Sequence, residues 1–481
     1  MRSILQKACQ QYRERVAVSA AHETITYREL DEKARKVAHL LKQTGASPVI
    51  LYGGHSIAEI IAVLGCIYCN RAYVPVHGHM PLSRLLSIKN ITKSTLVISD
   101  RPLTAEDCAF TTGITYEKLL EEAELIPAET LQTPAESNPS EDCAYMIFTS
   151  GSTGVPKGVP ITYANLRCFV SFIEKHPPFH SFEAFRVLNQ AALSFDLSVA
   201  DLYYSLCNGH TWIAGNARLF DEENATDIFR KEKIQLAFMT PTGMGLCLLE
   251  QEFCEKNLPD FRCVYFCGER LQKRIVRTLW ERFPSLHIIN AYGPTEATSA
   301  VCLVELTKDM LTADNELPVG IMESASASIR IREGEIILSG APVFHGYLGS
   351  ADSHLPGKKE YATGDLGEIR GGLLYCNGRI DSQIKYKGYR IELTDIEANL
   401  EKLPGIAAAA VTAPRNAAGI VKTLHAYCVP ADEALSETDV KQELKKLLPD
   451  YMIPKTIHFV QVLPVTQNGK LDRKALGHSN D

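Results

Sequence analysis

One stretch constrains this chain more than any other: Thr149-Ser150-Gly151-Ser152-Thr153-Gly154-Val155-Pro156-Lys157-Gly158. The apolar run at 144–148 before it reads as a buried strand, and Thr162-Tyr163-Ala164-Asn165-Leu166 after it reads as a helix start. Between them stand three glycines, four hydroxyls and one lysine. Glycine lets a backbone turn sharply and approach a ligand. The N–H groups of such a turn point inward and hold an anion. Lys157 adds a full positive charge. A loop that closes on polyphosphate follows from these residue types; a plain surface turn would need neither so many hydroxyls nor the lysine. The common nucleotide P-loop is excluded, because its spacing requires glycine at 156 and Ser or Thr after the lysine. Pro156 and Gly158 stand there.

Strand-like and helix-like segments alternate over 20–300. Thr24-Ile25-Thr26 is a short strand, and Thr26 with Glu29 makes a capping box for the next helix. Leu30, Ala34, Val37 and Leu41 share one face of that helix, which ends at Gly45. Further strands are expected at 49–52, 96–98, 187–189, 236–238, 263–266 and 287–289, with a helix over 57–69. This alternation predicts an α/β fold with largely parallel sheets. Residues 127–142 read as a polar connector. From about Ala327 the pattern shifts to short strands, at 327–330 and 334–338, which predicts a small β subdomain. After residue 381 comes a compact α+β unit: a strand-like run over 383–391, a helix over 394–403, a strand pair over 407–430 and a helix over 436–448. The division is a large domain at 1–380 and a small domain at 381–481.

Composition narrows the function. At 45% hydrophobic and 22% charged, the chain is an ordinary globular protein. A net charge of −7 argues against a phosphate-backbone surface for nucleic acid. No apolar run reaches membrane-helix length, and the start has no secretory pattern, so a cytoplasmic protein without stable membrane insertion is expected; a monomer is expected as well. The fourteen cysteines are scattered. Cys66 and Cys69 form a Cys-x-x-Cys pair within an apolar helix, with no second pair at zinc spacing, and read as packing thiols.

Three further motifs carry chemistry. In Asn290-Ala291-Tyr292-Gly293-Pro294-Thr295-Glu296, Tyr292 offers a flat face to a purine and Glu296 a hard oxygen to Mg²⁺. In Tyr361-Ala362-Thr363-Gly364-Asp365-Leu366, Asp365 can accept from two ribose hydroxyls. Asn468-Gly469-Lys470 is a tight turn that presents a lysine. Arg379 and Asp381 in Gly378-Arg379-Ile380-Asp381 carry either a functional role or a local salt bridge. Asp196, in Ser194-Phe195-Asp196-Leu197-Ser198, is either a substrate contact or a helix cap.

In this order the motifs resemble those of the adenylate-forming superfamily, which holds acyl-CoA synthetases, luciferases and peptide-synthetase adenylation domains. The resemblance implies a mobile C-terminal domain and ATP with Mg²⁺ as cofactors. It implies ATP contacts at Thr149, Ser150, Gly151, Ser152, Thr153, Gly154, Lys157, Gly268, Glu269, Asn290, Ala291, Tyr292, Gly293, Thr295, Asp365, Arg379 and Lys470. It makes Lys470 and Glu296 catalytic, Glu296 the metal ligand and Asp381 the hinge. In amino-acid-activating members an aspartate matching Asp196 pairs with the substrate ammonium. Leu197, Ala200, Phe238, Tyr265, Cys267, Ala291 and Ser299 would line the same pocket. The bulk of Phe238 and Tyr265 favours a small amino acid, and the stretches around Asp196 and Cys267 resemble the members that activate D-alanine. The implied partner is a small phosphopantetheinyl carrier protein. The chain departs from the family at Ala362, His77 and His345, which are expected to be structural.

Overall fold

The computed structural model describes the chain except residues 104–111, 128–141, 152–153, 180–183, 216–223, 313–315, 349–359, 381–382, 387, 417–419, 432–435, 465–470, 472 and 477–481. Most of the polar connector therefore lies outside the described residues. The chain forms two compact units. The larger runs over Met1–Gly78, Thr92–Ile147 and Val159–Ile380; the smaller over His79–Ile91, Phe148–Gly158 and Asp381–Asp481.

In the larger unit an eight-stranded sheet has the order Cys302–Glu305, His287–Tyr292, Cys263–Phe266, Leu236–Met239, Arg186–Asn189, Thr211–Ala214, Val16–Ala20, Glu23–Thr26. Its interior pairs are parallel and its two edge pairs antiparallel. A second sheet orders Thr112–Thr115, Leu96–Ser99, Val49–Gly53, Tyr73–His77, Cys143–Thr149, Lys157–Thr162. Every residue of Val49–Gly53, Leu236–Met239 and Cys263–Phe266 is buried. Continuous apolar runs of this kind belong to parallel strands covered on both faces.

The helix Tyr27–Gln43 starts at the Thr26–Glu29 capping box and buries Leu30, Ala34, Val37 and Leu41. It packs on Ile57–Tyr68. A Cβ at Gly65 would lie 2.6 Å from Val37 Cγ1, so glycine sets this close crossing. Cys66 is fully buried on the same helix, and burial pushes its thiol well above the ordinary range. All thirteen described cysteines are free, and no cluster of metal-ligating side chains exists among the described residues. A five-stranded antiparallel sheet, Gly320–Ile321, Leu373–Arg379, Glu360–Arg370, Glu335–Ser339, Ser328–Arg332, completes the unit.

In the smaller unit the run at 383–391 is not one strand. It is a hairpin, Gln383–Tyr386 with Tyr389–Glu392, because the chain reverses near Gly388 at φ +85°. The helix that follows is Leu393–Leu400, shorter than the sequence suggests. Strands Ile406–Thr412, His425–Pro430 and Thr456–Phe459 form a sheet beside the helix Glu437–Lys445, whose start is a Ser436–Asp439 capping box. Ile391, Ile396, Leu400, Val411 and Leu444 build the core of this unit.

Candidate active site

In the larger unit the marked residues gather beyond the carboxyl ends of the parallel strands, where open α/β sheets bind ligands. Strand His287–Tyr292 runs into Gly293, where a Cβ would sit 2.5 Å from Ala300 Cα and 2.7 Å from Ser299 O. Only glycine fits. Thr295–Ala297 then forms a single 3-10 turn, and Thr298 and Ser299 take positive φ. The chain thus doubles back, with Thr295 and Glu296 at the bend.

Asp196 stands at the start of the helix Leu197–Asn208, but its side chain makes no capping bond. Its Oδ2 instead accepts from Thr295 Oγ1 at 2.8 Å. The capping alternative therefore does not explain this aspartate. Leu197, Ala200, Phe238, Tyr265, Cys267 and Ala291 are all buried. Strand register puts Phe238 opposite Tyr265 and the two rings 4.7 Å apart. Cys267 Sγ lies 3.8 Å from Ser299 O. The Tyr265 hydroxyl and Ser299 Oγ are buried with no hydrogen-bond partner among the described residues.

Glu296 is fully buried. Its Oε1 accepts from the Tyr347 hydroxyl at 2.6 Å, and its carbonyl accepts from Phe344 N at 2.8 Å. Burial, then the neighbouring Glu296 charge, raises the Tyr347 phenol far out of its ordinary range, so it stays a donor. Sequence reading missed Tyr347. It weighed only His345 in that stretch, and His345 is exposed.

Asp365 and Arg379 are directly opposed across an antiparallel ladder. Arg379 Nη1 donates to Asp365 Oδ1 at 2.7 Å, and the Tyr292 hydroxyl donates to Oδ2 at 2.7 Å. Arg379 is thus salt-bridged to Asp365; Asp381 lies outside the described residues. Burial and Asp365 raise the Tyr292 phenol. Asn290 Nδ2 donates to Pro318 O at 2.8 Å, and Glu269 Oε2 accepts from Thr242 N at 3.0 Å. Both side chains brace the loops here. Gly268 has φ +90°.

The smaller unit holds the glycine loop. Gly154 N donates to Gly151 O at 3.0 Å, with Gly154 at φ +74°. Lys157 Nζ donates to Glu392 Oε1 at 3.1 Å. Ser150 Oγ donates to Arg390 O at 3.1 Å and accepts from Glu392 N at 2.9 Å. Arg84 Nη2 donates to the fully buried Asp395 at 2.5 Å. Thr149 ends the preceding strand. Ser152, Thr153, Lys387 and Lys470 lie outside the described residues. In the same unit Arg473 Nη2 donates to both oxygens of Glu397 at 2.7 Å.

Mg²⁺ is a hard cation that takes one or two carboxylates, water and phosphate oxygens. A single fully buried carboxylate, Glu296, with one oxygen already oriented by a phenol, fits that demand.

Comparison with known proteins adds the family context. The model of the AMP-binding enzyme family matches residues 5–348, and that of the AMP-binding enzyme C-terminal domain matches 395–470. The chain is 35% identical to a D-alanine–D-alanyl carrier protein ligase of Bacillus mycoides (strain KBAB4), over 94% of each chain. It is 37% identical to one of Listeria innocua serovar 6a, covering 94% of this chain and 93% of that one. Among solved structures, the Vibrio cholerae adenylation domain AlmE, in complex with glycyl-adenosine-5'-phosphate, superposes with a TM-score of 0.83 at 22% identity, over 99% and 96% of the two chains. The o-succinylbenzoate CoA synthetase of Bacillus subtilis gives 0.84 at 20% identity, over 98% of each. These two share the fold.

Proposed function

This chain belongs to the AMP-binding enzyme family of adenylate-forming ligases, and we propose that it activates D-alanine as D-alanyl-AMP and passes it to the phosphopantetheine thiol of a small carrier protein. Asp196 carries this reading. It is a carboxylate at a helix start that does no capping and is held by Thr295, one residue from the buried Glu296. A carboxylate so placed can take an ammonium by a charge-assisted hydrogen bond. The chain's similarity along nearly its whole length to D-alanine–D-alanyl carrier protein ligases supplies D-alanine and the carrier.

In the first half-reaction the substrate carboxylate attacks the α-phosphate of ATP and pyrophosphate leaves. Positioning and charge neutralisation dominate such chemistry. Asp196 holds the ammonium, and Cys267 lies against the Cα substituent. Asp365 meets the ribose and Tyr292 the base. Thr149, Ser150, Ser152, Thr153 and Lys157 hold the departing phosphates. Lys470 offsets charge at the reacting phosphate. Mg²⁺, when bound at Glu296, would neutralise phosphate charge. After pyrophosphate leaves, the chain pivots at Asp381 and the segment Lys387-Gly388 serves thioester formation. No helix among the described residues is long and apolar enough to cross a membrane; we place the enzyme in the cytoplasm as a monomer.

The buried Phe238–Tyr265 wall favours a second reading, in which another small amino acid is loaded for peptide synthesis. Amino-acid-dependent ATP–pyrophosphate exchange decides. D-alanine should outrun L-alanine, glycine, both serines and acetate. Preference for glycine or an L-amino acid moves the enzyme to the second reading, and exchange with acetate alone overturns both.

A further inference from the structure

The phosphate loop does not stand open in the smaller unit; it is clasped. Lys157, its one cation, is paired with Glu392 at 3.1 Å, and the two side chains are 35% and 16% exposed. Gln383 Nε2 reaches the same Glu392 oxygen at 3.4 Å. The Ser150 hydroxyl spends its only proton on Arg390 O and a lone pair on Glu392 N. Helix Leu393–Leu400 comes so close to Gly154 that a Cβ there would lie 3.2 Å from Ala398 Cβ and 3.2 Å from Asn399 Nδ2. Arg84 spans from Gly154 O, at 3.4 Å, to Asp395 Oδ2, at 2.5 Å. Glu392 sits where the hairpin strand gives way to this helix, so hairpin and helix together aim its carboxylate.

A lysine has one charge to share. When Glu392 holds Lys157, a phosphate oxygen at the same ammonium meets a carboxylate of its own sign. The Ser150 proton is likewise committed. We infer that Glu392 is a positioning residue that drives pyrophosphate from the loop. Its carboxylate replaces the leaving anion on Lys157, and the backbone of 390–392 replaces it on Ser150. No bond is made or broken; one ion pair replaces another. In the reaction proposed above, on which this inference rests, the exchange makes loss of pyrophosphate hard to reverse and separates adenylation from thioester formation. A carboxylate is suited to the task because it competes with phosphate yet, being singly charged, yields to Mg·ATP at the start of the next cycle.

The test is equilibrium titration of the full chain with pyrophosphate at fixed Mg²⁺, read by calorimetry. Loss of one half-buried, charge-assisted competitor predicts that Glu392→Gln binds pyrophosphate roughly five- to tenfold more tightly than wild type. In exchange assays its KM for pyrophosphate should fall while the KM for D-alanine stays. In a Lys157→Met background the same substitution should change nothing, because the cycle isolates the pair. Glu392→Gln that melts like wild type but binds pyrophosphate equally or more weakly overturns the inference. If Glu392→Gln does not fold, Glu392→Asp, which withdraws the carboxylate by one methylene, must still tighten binding; unchanged affinity there also overturns it. Wild-type protein that binds neither pyrophosphate nor ATP would instead refute the proposed function, and this inference with it.

Discussion

Replacing Asp365 with alanine removes the acceptor for two buried donors at once. The Asp365 and Arg379 side chains are only 8% and 13% exposed. The Tyr292 hydroxyl shares the same carboxylate. Breaking a buried ion pair from one side costs about 3–5 kcal/mol. Stranding a buried hydroxyl costs about 1–3 kcal/mol. The two terms belong to one network and do not add. Arg379 lies at the end of its strand and can turn partly toward water, so the expected loss is about 3 kcal/mol. Asp365→Asn keeps one acceptor, for Tyr292, and loses the charge and the second acceptor, leaving Arg379 to turn to water, so a smaller loss, about 2 kcal/mol, is expected. Both tryptophans, Trp212 and Trp280, lie in the larger unit, so their fluorescence during urea denaturation reports the unfolding of this unit. The midpoint should drop at constant m-value. A loss below about 1 kcal/mol for Asp365→Ala, or an asparagine variant as damaged as the alanine one, refutes the reasoning. The KM for ATP should rise with the same ranking.

Tyr347→Phe removes the donor to Glu296 Oε1. The Mg²⁺ concentration for half-maximal exchange should rise several-fold, with the KM for D-alanine unchanged; an unaltered Mg²⁺ dependence disproves the positioning role. Lys470→Ala should depress adenylate formation on the order of 100-fold or more, in the range for loss of a charge-stabilising donor; an undiminished exchange rate would sink the assigned role. Burial raises the Glu59 carboxyl to about 8 from its ordinary 4.5. The folded chain therefore keeps a proton that the unfolded chain releases. This stabilisation is complete below pH 4.5 and lost as pH climbs through 8, at up to about 1.4 kcal/mol per unit. His55, held down to about 4 by burial, contributes above pH 6.5 and loses its contribution as pH falls through 4. Melting between pH 6.5 and 8 lies above the His55 window and below the ordinary thiol range, and Glu59→Gln should make the decline there shallower; an equally steep decline in the variant counts against it.

Much of the fold is written locally. Thr26 and Glu29 announce a helix because a capping box needs only four residues, and Val49–Gly53 announces a buried strand because it is apolar throughout. The turn at Gly293 follows from its motif alone. What escaped is set by pairing across distance. Arg379 finds Asp365, fourteen residues upstream, because ladder register opposes them. Glu392 meets Lys157 across 235 residues, and Tyr347 meets Glu296 across 51. Neither partner carries a local signal, since a loop tyrosine or a glutamate at a strand end reads the same whether paired or solvated. Asp196 shows the reverse case. Its position suggests a cap by local rules, and only its bond to Thr295 shows that the side chain is turned to another task. The run at 383–391 misled because a reversal at Gly388 separates two strands with continuous β-like composition.

The bond from Thr295 Oγ1 to Asp196 has a thermodynamic consequence. One turn of backbone carries both the hydroxyl that orients Asp196, the carboxylate proposed to read the ammonium, and the neighbouring Glu296. An ammonium that draws on Asp196 is therefore felt at Glu296, and a cation drawn to Glu296 is felt at Asp196. Linkage makes such communication reciprocal in binding free energy. The amino acid and Mg²⁺ should accordingly bind with cooperativity of equal size in either order, and Thr295→Val should reduce both effects together.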